Sequence, residues 1–146
     1  MMPAPQLHQV SMDRWSGGLF CGPAAISAIT GCLVSEAKTI LREVSGRRAI
    51  RGVSNSNMRK ALWRLGYRMA SVEPRTTKDK PTLASWLEAR QERGLCERLC
   101  LVNTTGHYIT VQVDRAVDNW MKLPTPVDEF NHRRARVRKA WEITSR

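Results

Sequence analysis

The sequence lacks any apolar run long enough to cross a bilayer, which takes about 20 residues in a helix. Its N-terminus, MMPAPQLHQVSMDRW, also lacks a basic stretch followed by an apolar one, which is the pattern of a secretory signal peptide. We therefore expect no membrane partner and no secretory signal, and we expect a cytoplasmic protein.

Cysteine and histidine are scarce, with four and three residues in a chain of 146. The cysteine spacings do not form the framework of a disulfide-rich secreted domain, so a reducing compartment is expected. Cys96 and Cys100 have no second Cys/His pair at zinc-ligand spacing, and we predict that both pack an apolar segment. The sequence therefore predicts no metal site and no cofactor.

Acidic residues are also few: 13 Asp and Glu stand against 24 Lys and Arg, for a net charge of +11. Residues 131–146 hold six of the basic residues and one acid, and a second basic cluster, GRRAIRG, covers residues 46–52. This excess predicts an anionic partner, either nucleic acid or an acidic protein surface. The alternative is a solvated, solubilising face, since no nucleic-acid recognition motif accompanies the charge. The candidate contact residues are Arg133, Arg134, Arg136, Arg138 and Lys139.

The first part of the chain is predicted to be helical. A helix is expected to start at or just after Cys21, because Pro23 suits a first helical turn and Gly31 is a natural stop. This helix is apolar nearly all round, which predicts a central, buried position. A second helix is expected from a Ser35 cap, and a third over residues 54–66.

The later part is predicted to be mostly sheet. YRMASVE alternates as a strand does, and a charged loop and a helix over 82–93 follow. ERLCLVN is a predicted strand, and HYITVQV and RAVDNW form a predicted hairpin. The pattern of RVRKAWEI favours neither strand nor helix. Helices first and strands later predict one α+β domain over residues 1–146, with an irregular segment at 1–18 and a basic C-terminal segment at 131–146.

Cys21 lies in the stretch LFCGPAAISAITG, at the predicted start of the first helix. The positive end of a helix dipole lowers the pKa of a thiol placed there. The unpaired N–H groups of the first turn point outward and can donate to an oxyanion that forms beside the sulfur. We predict that Cys21 is a nucleophile; a buried structural thiol is the alternative.

A nucleophilic cysteine needs a base, and His107 is the best placed of the three histidines. It begins an alternating strand and shares the parity of Ile109 and Val111. We therefore expect His107 to lead the core-facing row at the rim of the sheet, where it can meet a helix N-terminus packed on that sheet.

The orienting group for the imidazole depends on the hairpin register. A tight turn at positions 113–114 sets Ile109 opposite Asp118, whose side chain then shares the face of His107 on the diagonal. Asp118 is accordingly the predicted orienting group. A three-residue loop would reverse the parity and aim Asp118 outward, and Asn119 is the fallback.

CGPAAISAITG, followed late in the chain by TGHYITV and AVDNW, resembles the papain-like cysteine peptidase superfamily. The match is closest to the bacteriocin-processing type, which cleaves after double-glycine leaders, and it spans about residues 19–120. The resemblance implies a Cys-bearing central helix packed on a C-terminal antiparallel sheet and a peptide or protein substrate. It also implies that Cys21 is the nucleophile, His107 the general base and acid, and Asp118 the orienting group. The small size and basic C-terminus are similar to bacteriophage proteins, which implies host cytoplasm or virion.

The chain departs from the family at the oxyanion hole. The family usually has a glutamine shortly before the cysteine, near the position of Trp15 here. Gln9 is predicted to serve if residues 17–18 loop out, and Ser16 is the alternative donor. The departure leaves a second hypothesis open, a catalytically weak or inactive member acting as a basic binding protein, such as a phage accessory or virion protein. Amidase, isopeptidase or transglutaminase chemistry would use the same residues as peptide hydrolysis.

Overall fold

A computed structural model describes residues 4–75, 78 and 80–146 of the chain. The first three residues of the predicted irregular segment, and three residues of the predicted charged loop, lie outside the described residues. The elements in chain order are α1 (Cys21–Thr30), α2 (Val34–Ser45), α3 (Asn55–Arg64), β1 (Tyr67–Val72), α4 (Leu83–Glu92), β2 (Cys100–Thr104), β3 (His107–Gln112), β4 (Arg115–Val117), β5 (Thr125–Pro126), a 3-10 turn (Val127–Glu129) and β6 (Val137–Ser145).

The strands form one antiparallel six-stranded sheet in the order β1-β6-β2-β3-β4-β5. The last strand, β6, therefore enters the middle of the sheet, between β1 and β2. Most of the basic C-terminal segment is therefore a central strand of the sheet. Its local sequence pattern could not decide between strand and helix, because its hydrogen bonds come from two strands that are distant in sequence.

Local helix signals explain three of the helix boundaries. α1 ends where Gly31 takes the left-handed conformation, with φ 79°. The side chains of Ser54 and Thr82 cap α3 and α4 by accepting from the backbone N–H three residues on. No helix in the described ranges is long and apolar enough to cross a membrane.

The predicted Ser35 cap of the second helix is wrong. α2 begins one residue earlier, at Val34, and its N-cap Leu33 supplies no side-chain hydrogen bond. The Ser35 hydroxyl instead donates to Asp13 Oδ2 at 2.8 Å. The Ser35 hydroxyl therefore makes a tertiary hydrogen bond to Asp13 in place of the predicted helix cap.

Helices cover both faces of the sheet. α1, α2 and α3 pack on one face, where Leu101, Tyr108 and Trp141 contribute to the core. α4 packs on the opposite face, over side chains that include Ile109 and Val111. The chain is thus an α+β protein, as predicted, with α1 buried almost along its whole length.

A buried ion-pair network joins α4 to the sheet. Arg90 is 1% exposed, and its guanidinium contacts Glu73, just after β1, and Glu142 of β6 at 2.5 Å. Two exposed arginines extend the network, Arg93 to Glu73 at 3.0 Å and Arg98 to Glu142 at 3.1 Å. The network fixes the position of α4 because a buried guanidinium needs its carboxylate partners in place.

Two of the cysteines pack in this same region. Cys100 is buried in the core under α4, and Cys96 packs against the same cluster. Burial raises the pKa of the Cys100 thiol to about 12, so it is not a nucleophile. The predicted packing role of both residues agrees with these positions.

Candidate active site

Cys21 is the first residue of α1, and its surroundings hold the helix start in place. The N-cap, Phe20, is extended and makes no side-chain capping bond, so no side chain competes for the first-turn N–H groups. Gly22 is required by packing: a Cβ there would lie 2.6 Å from Val53 Cγ2. The Cys-Gly-Pro sequence thus lets the N-terminus of α1 pack closely against the chain before α3.

The first residue of β3, His107, lies beside Cys21. The Cys21 thiol interacts with the His107 side chain, and its Sγ lies 3.9 Å from the carbonyl oxygen of Gly106. The backbone of Tyr108 also acts on Cys21 and favours its thiolate. Cys21 and His107, which are 86 positions apart in the chain, are therefore neighbours in the fold.

The structure shows which face of the sheet the His107 row covers. The row that His107 leads, with Ile109, packs towards α4, whereas α1 packs on the opposite face beside Tyr108. The sequence placed His107 in a core-facing row without distinguishing the two faces, and this row lies on the face opposite α1. Cys21 and His107 therefore meet at the rim of the sheet, where β3 begins.

The β3–β4 hairpin has the tight turn that the Asp118 prediction required. Thr110 pairs with Val117 and Gln112 with Arg115, so the same register sets position 109 opposite 118. Only residues 113 and 114 separate the strands, and Val113 has φ 59°. Asp118 thus lies on the face of His107.

Asp118 is buried and fully used as an acceptor. Its Oδ2 lies 2.9 Å from His107 Nε2, and its Oδ1 accepts from the backbone N–H groups of Trp120 and Met121 at 2.9 and 2.7 Å. The side chain is 0% exposed. Because Nε2 faces Asp118, Nδ1 is the ring nitrogen left to serve Cys21, as a nucleophile–base–carboxylate series needs.

The three groups shift one another's pKa values. Burial opposes ionisation of the Cys21 thiol, but the hydrogen bond and charge of His107 and the backbone of Tyr108 outweigh it, so the pKa is lowered. Burial alone would lower the pKa of His107, but its bonds to Asp118 and Cys21 raise the pKa to about 9. Burial likewise disfavours the Asp118 carboxylate, yet its hydrogen bonds hold the pKa below the usual value. The lowered pKa of Cys21 and the raised pKa of His107 both favour a thiolate–imidazolium pair.

His132 is a site residue that the sequence did not reveal. Its Nδ1 lies 3.1 Å from the same Asp118 Oδ2, and its ring centroid is 4.8 Å from that of His107. The loop that carries His132 returns from β5 towards β6 without a regular pattern. The only available signal was its residue type, since it is one of three histidines in the chain.

Neither candidate side-chain oxyanion donor makes a hydrogen bond to Cys21 within the described residues. Gln9 is exposed, and its neighbours are fixed by the bonds His8 N to Ala28 O and Val10 N to Lys122 O, both 2.8 Å. No hydrogen bond joins Gln9 to Cys21 within the described residues, so its oxyanion role stays a prediction. The Ser16 hydroxyl is buried and donates to Asp13 Oδ1 at 2.8 Å.

The fallback orienting residue, Asn119, does not take the place beside His107, because Asp118 occupies it. Its Oδ1 is buried and, in the part of the chain that the structure describes, has no hydrogen-bond partner.

Lys38 fixes the segment that leads into Cys21. This buried α2 side chain donates from Nζ to the backbone oxygens of Ser16 and Gly18. Burial lowers the pKa of Lys38. Because the amine replaces missing backbone partners in an irregular loop, it restricts the approach of the chain to the helix start.

Alkylation by iodoacetamide is expected to distinguish Cys21 from Cys32, which are both half-buried. Burial raises the pKa of Cys32, whereas the pKa of Cys21 is lowered. When the pH falls from about 8 to about 6, the thiolate fraction of a thiol with a pKa above both values falls about 100-fold. Cys32 should lose reactivity by that factor and Cys21 by much less, because His107 stays protonated through this range. Peptide mapping by mass spectrometry measures both rates, and parallel losses would contradict the thiolate assignment.

Comparisons with known proteins add no relative. Neither the protein-family models nor the curated proteins nor the solved structures contain a significant match to this chain.

Proposed function

We propose that this chain is a papain-like cysteine peptidase, or a related thiol acyl-transfer hydrolase, that works through a thioester. The observation that carries the proposal is the meeting of three groups: the Cys21 thiol interacts with the His107 imidazole, whose Nε2 lies 2.9 Å from Asp118 Oδ2. The cysteine at a helix start, the histidine at the start of a strand and the carboxylate directly after the next strand support the papain-like assignment.

Acylation would begin from the thiolate–imidazolium pair. Cys21 Sγ attacks the substrate carbonyl carbon, a C–S bond forms, and the carbonyl oxygen takes up the negative charge. The uncapped N–H groups at the start of α1 can donate to that oxygen. The proton on His107 Nδ1 then passes to the leaving nitrogen as the C–N bond breaks, which leaves a thioester and a neutral imidazole.

Deacylation would reverse these roles with water. His107 Nδ1 accepts a proton from a water molecule, whose oxygen attacks the thioester carbonyl. The C–S bond breaks, the acyl group leaves as a carboxylic acid, and the thiolate–imidazolium pair is restored. Throughout, Asp118 keeps the Nε2–H of His107 engaged, so Nδ1 stays directed at the sulfur.

An exposed tryptophan beside the triad supports a peptide substrate. The Trp120 side chain is 70% exposed, while its backbone N–H is fixed by Asp118. A large, exposed aromatic side chain next to Asp118 suits the packing of a substrate side chain or backbone.

A peptide carrying a vinyl sulfone in place of its scissile carbonyl tests the proposal. We expect one covalent adduct per chain, located at Cys21 by peptide mapping. Cys21→Ala should form none, whereas Cys32→Ala, which removes a thiol of similar burial, should react at the wild-type rate. A peptide mixture should then be cleaved by the wild-type chain and not by Cys21→Ala. Labelling of Cys32 in preference to Cys21 would overturn the assignment.

A basic binding protein is the second candidate, and one cavity favours it. The cavity has a volume of about 490 Å³, and Arg59, Arg75 and Lys139 line it with no carboxylate among its described lining residues. Such a lining suits a phosphate or an acidic side chain. An inert Cys21, together with DNA retention that falls steeply with salt, would favour this function over the peptidase.

A further inference from the structure

The second histidine on Asp118 creates a cluster that the peptidase mechanism does not require. His107 Nε2 and His132 Nδ1 lie 2.9 and 3.1 Å from one oxygen, Asp118 Oδ2. One ligand atom from each of the three side chains lies within 4.8 Å of the others. The other carboxylate oxygen is taken by two backbone N–H groups, so Oδ2 is the oxygen that faces both rings.

We propose that His107, Asp118 and His132 form a binding site for a divalent transition metal, with Zn²⁺ as the expected occupant, and that the bound metal inhibits acyl transfer at Cys21. The inhibition rests on the proposed function. The metal binding rests on the three side chains alone.

The donor set and spacing suit Zn²⁺. Two imidazole nitrogens and one carboxylate oxygen are a common protein ligand set for this ion, with water in the fourth position. Tetrahedral ligands at about 2.1 Å from zinc lie about 3.4 Å from one another. The observed nitrogen–oxygen distances of 2.9 and 3.1 Å need to open by a few tenths of an ångström. The two imidazole nitrogens, which lie within 4.8 Å of each other, need to approach by up to about 1.4 Å, which a rotation of the half-exposed His132 side chain can supply. Mg²⁺ and Ca²⁺ prefer sites built from oxygen and are poorer candidates.

The metal can enter from the histidine side. The side chains of His132 and His107 are 38% and 20% exposed, while that of Asp118 is 0% exposed. The ring nitrogens facing Asp118 must give up any proton they carry, either to solvent or to the other nitrogen of the same ring. The ion then supplies the positive charge that balances the buried carboxylate.

Binding there would stop the proton transfers of His107. With metal on Nε2 and the remaining proton on Nδ1, the ring has no free lone pair to accept a proton from water. If His107 gave its Nδ1 proton to a leaving amine, a metal-bound imidazolate would remain. An imidazolate is a less stable product of proton donation than the neutral imidazole that remains without metal. Both acylation and deacylation therefore slow, although the metal does not touch Cys21.

Zinc binding is best measured in Cys21→Ala, where the reactive thiol cannot act as a ligand. Competition for Zn²⁺ with a chromogenic chelator should show one bound equivalent. The double variant Cys21→Ala/His132→Gln should bind at least about ten-fold more weakly. The matched control, Cys21→Ala/His8→Gln, removes an exposed histidine outside the cluster and should bind as tightly as Cys21→Ala. Equal affinity in the two double variants would overturn the site, provided circular dichroism shows that both are folded.

The inhibitory role is tested in chains that retain Cys21. Zn²⁺ should slow vinyl sulfone capture in the wild-type chain, and His132→Gln should need at least about ten-fold more Zn²⁺ for the same fractional loss. Capture that is insensitive to Zn²⁺ would overturn the inhibition. His132-dependent zinc binding in a chain that never acylates Cys21 would support the site and overturn the proposed function instead.

Discussion

Replacing His107 with alanine is expected to slow capture of a peptide electrophile by Cys21 by about 10²- to 10⁴-fold near neutral pH. The imidazole supplies the hydrogen bond and positive charge that lower the pKa of the thiol. Without them, burial dominates and the pKa of Cys21 rises, so the thiolate becomes rare. The measurement is the second-order rate of adduct formation, followed by intact-mass spectrometry across a pH series.

The pH series separates loss of ionisation from loss of structure. If His107 acts by stabilising the thiolate, the variant should recover much of its rate above the raised pKa of Cys21. His8→Ala is the matched histidine control and should react as the wild type does. Adding Asp118→Asn to His107→Ala should cost little more, because Asp118 acts through the imidazole. An unchanged rate in His107→Ala would show that the two side chains are not coupled.

Replacing Arg90 with alanine is expected to lower the free energy of unfolding by about 3–5 kcal/mol. The guanidinium is 1% exposed, and it contacts both Glu73 and Glu142. Its loss leaves the Glu142 carboxylate, 14% exposed, without its most buried partner and opens a void under α4. Urea denaturation, with the slope of the transition compared between variants, measures the change.

Arg93→Ala is the matched control for the ion-pair network. Arg93 bonds the same Glu73 at 3.0 Å, but its side chain is 60% exposed. Water and salt screen an exposed pair, so the expected loss is less than about 1 kcal/mol. Similar losses for Arg90→Ala and Arg93→Ala would mean that burial of the guanidinium does not determine the stability of this network.

The sequence predicted the features of this fold that are encoded locally. The start of α1 at Cys21 follows from Pro23 and Gly31, whereas the alternation of the two adjacent strands left a tight turn and a three-residue loop both open. The meeting of Cys21 with His107 and Asp118 was predicted from the tight turn together with the resemblance of these segments to a peptidase superfamily.

Features that depend on distant partners were missed. β6 is a central strand because β1 and β2 supply its hydrogen bonds. Ser35 hydrogen-bonds to Asp13 instead of capping α2, and His132, which lies in an irregular loop, contacts Asp118. In each case the deciding partner lies 14 or more residues away, where local periodicity carries no information.

The geometry of the site depends on the number of residues in the turn between β3 and β4. Val113 holds a left-handed φ of 59°, which is unusual for a β-branched residue, and its N–H is bonded to Cys96 O at 2.6 Å. One added residue there would invert the following strand and present the carboxylate to the wrong side of the sheet. Distant relatives should therefore tolerate insertions in other loops while conserving the interval of eleven positions between this histidine and its aspartate. That interval, downstream of a Cys-Gly-Pro helix start, is a pattern by which they can be found.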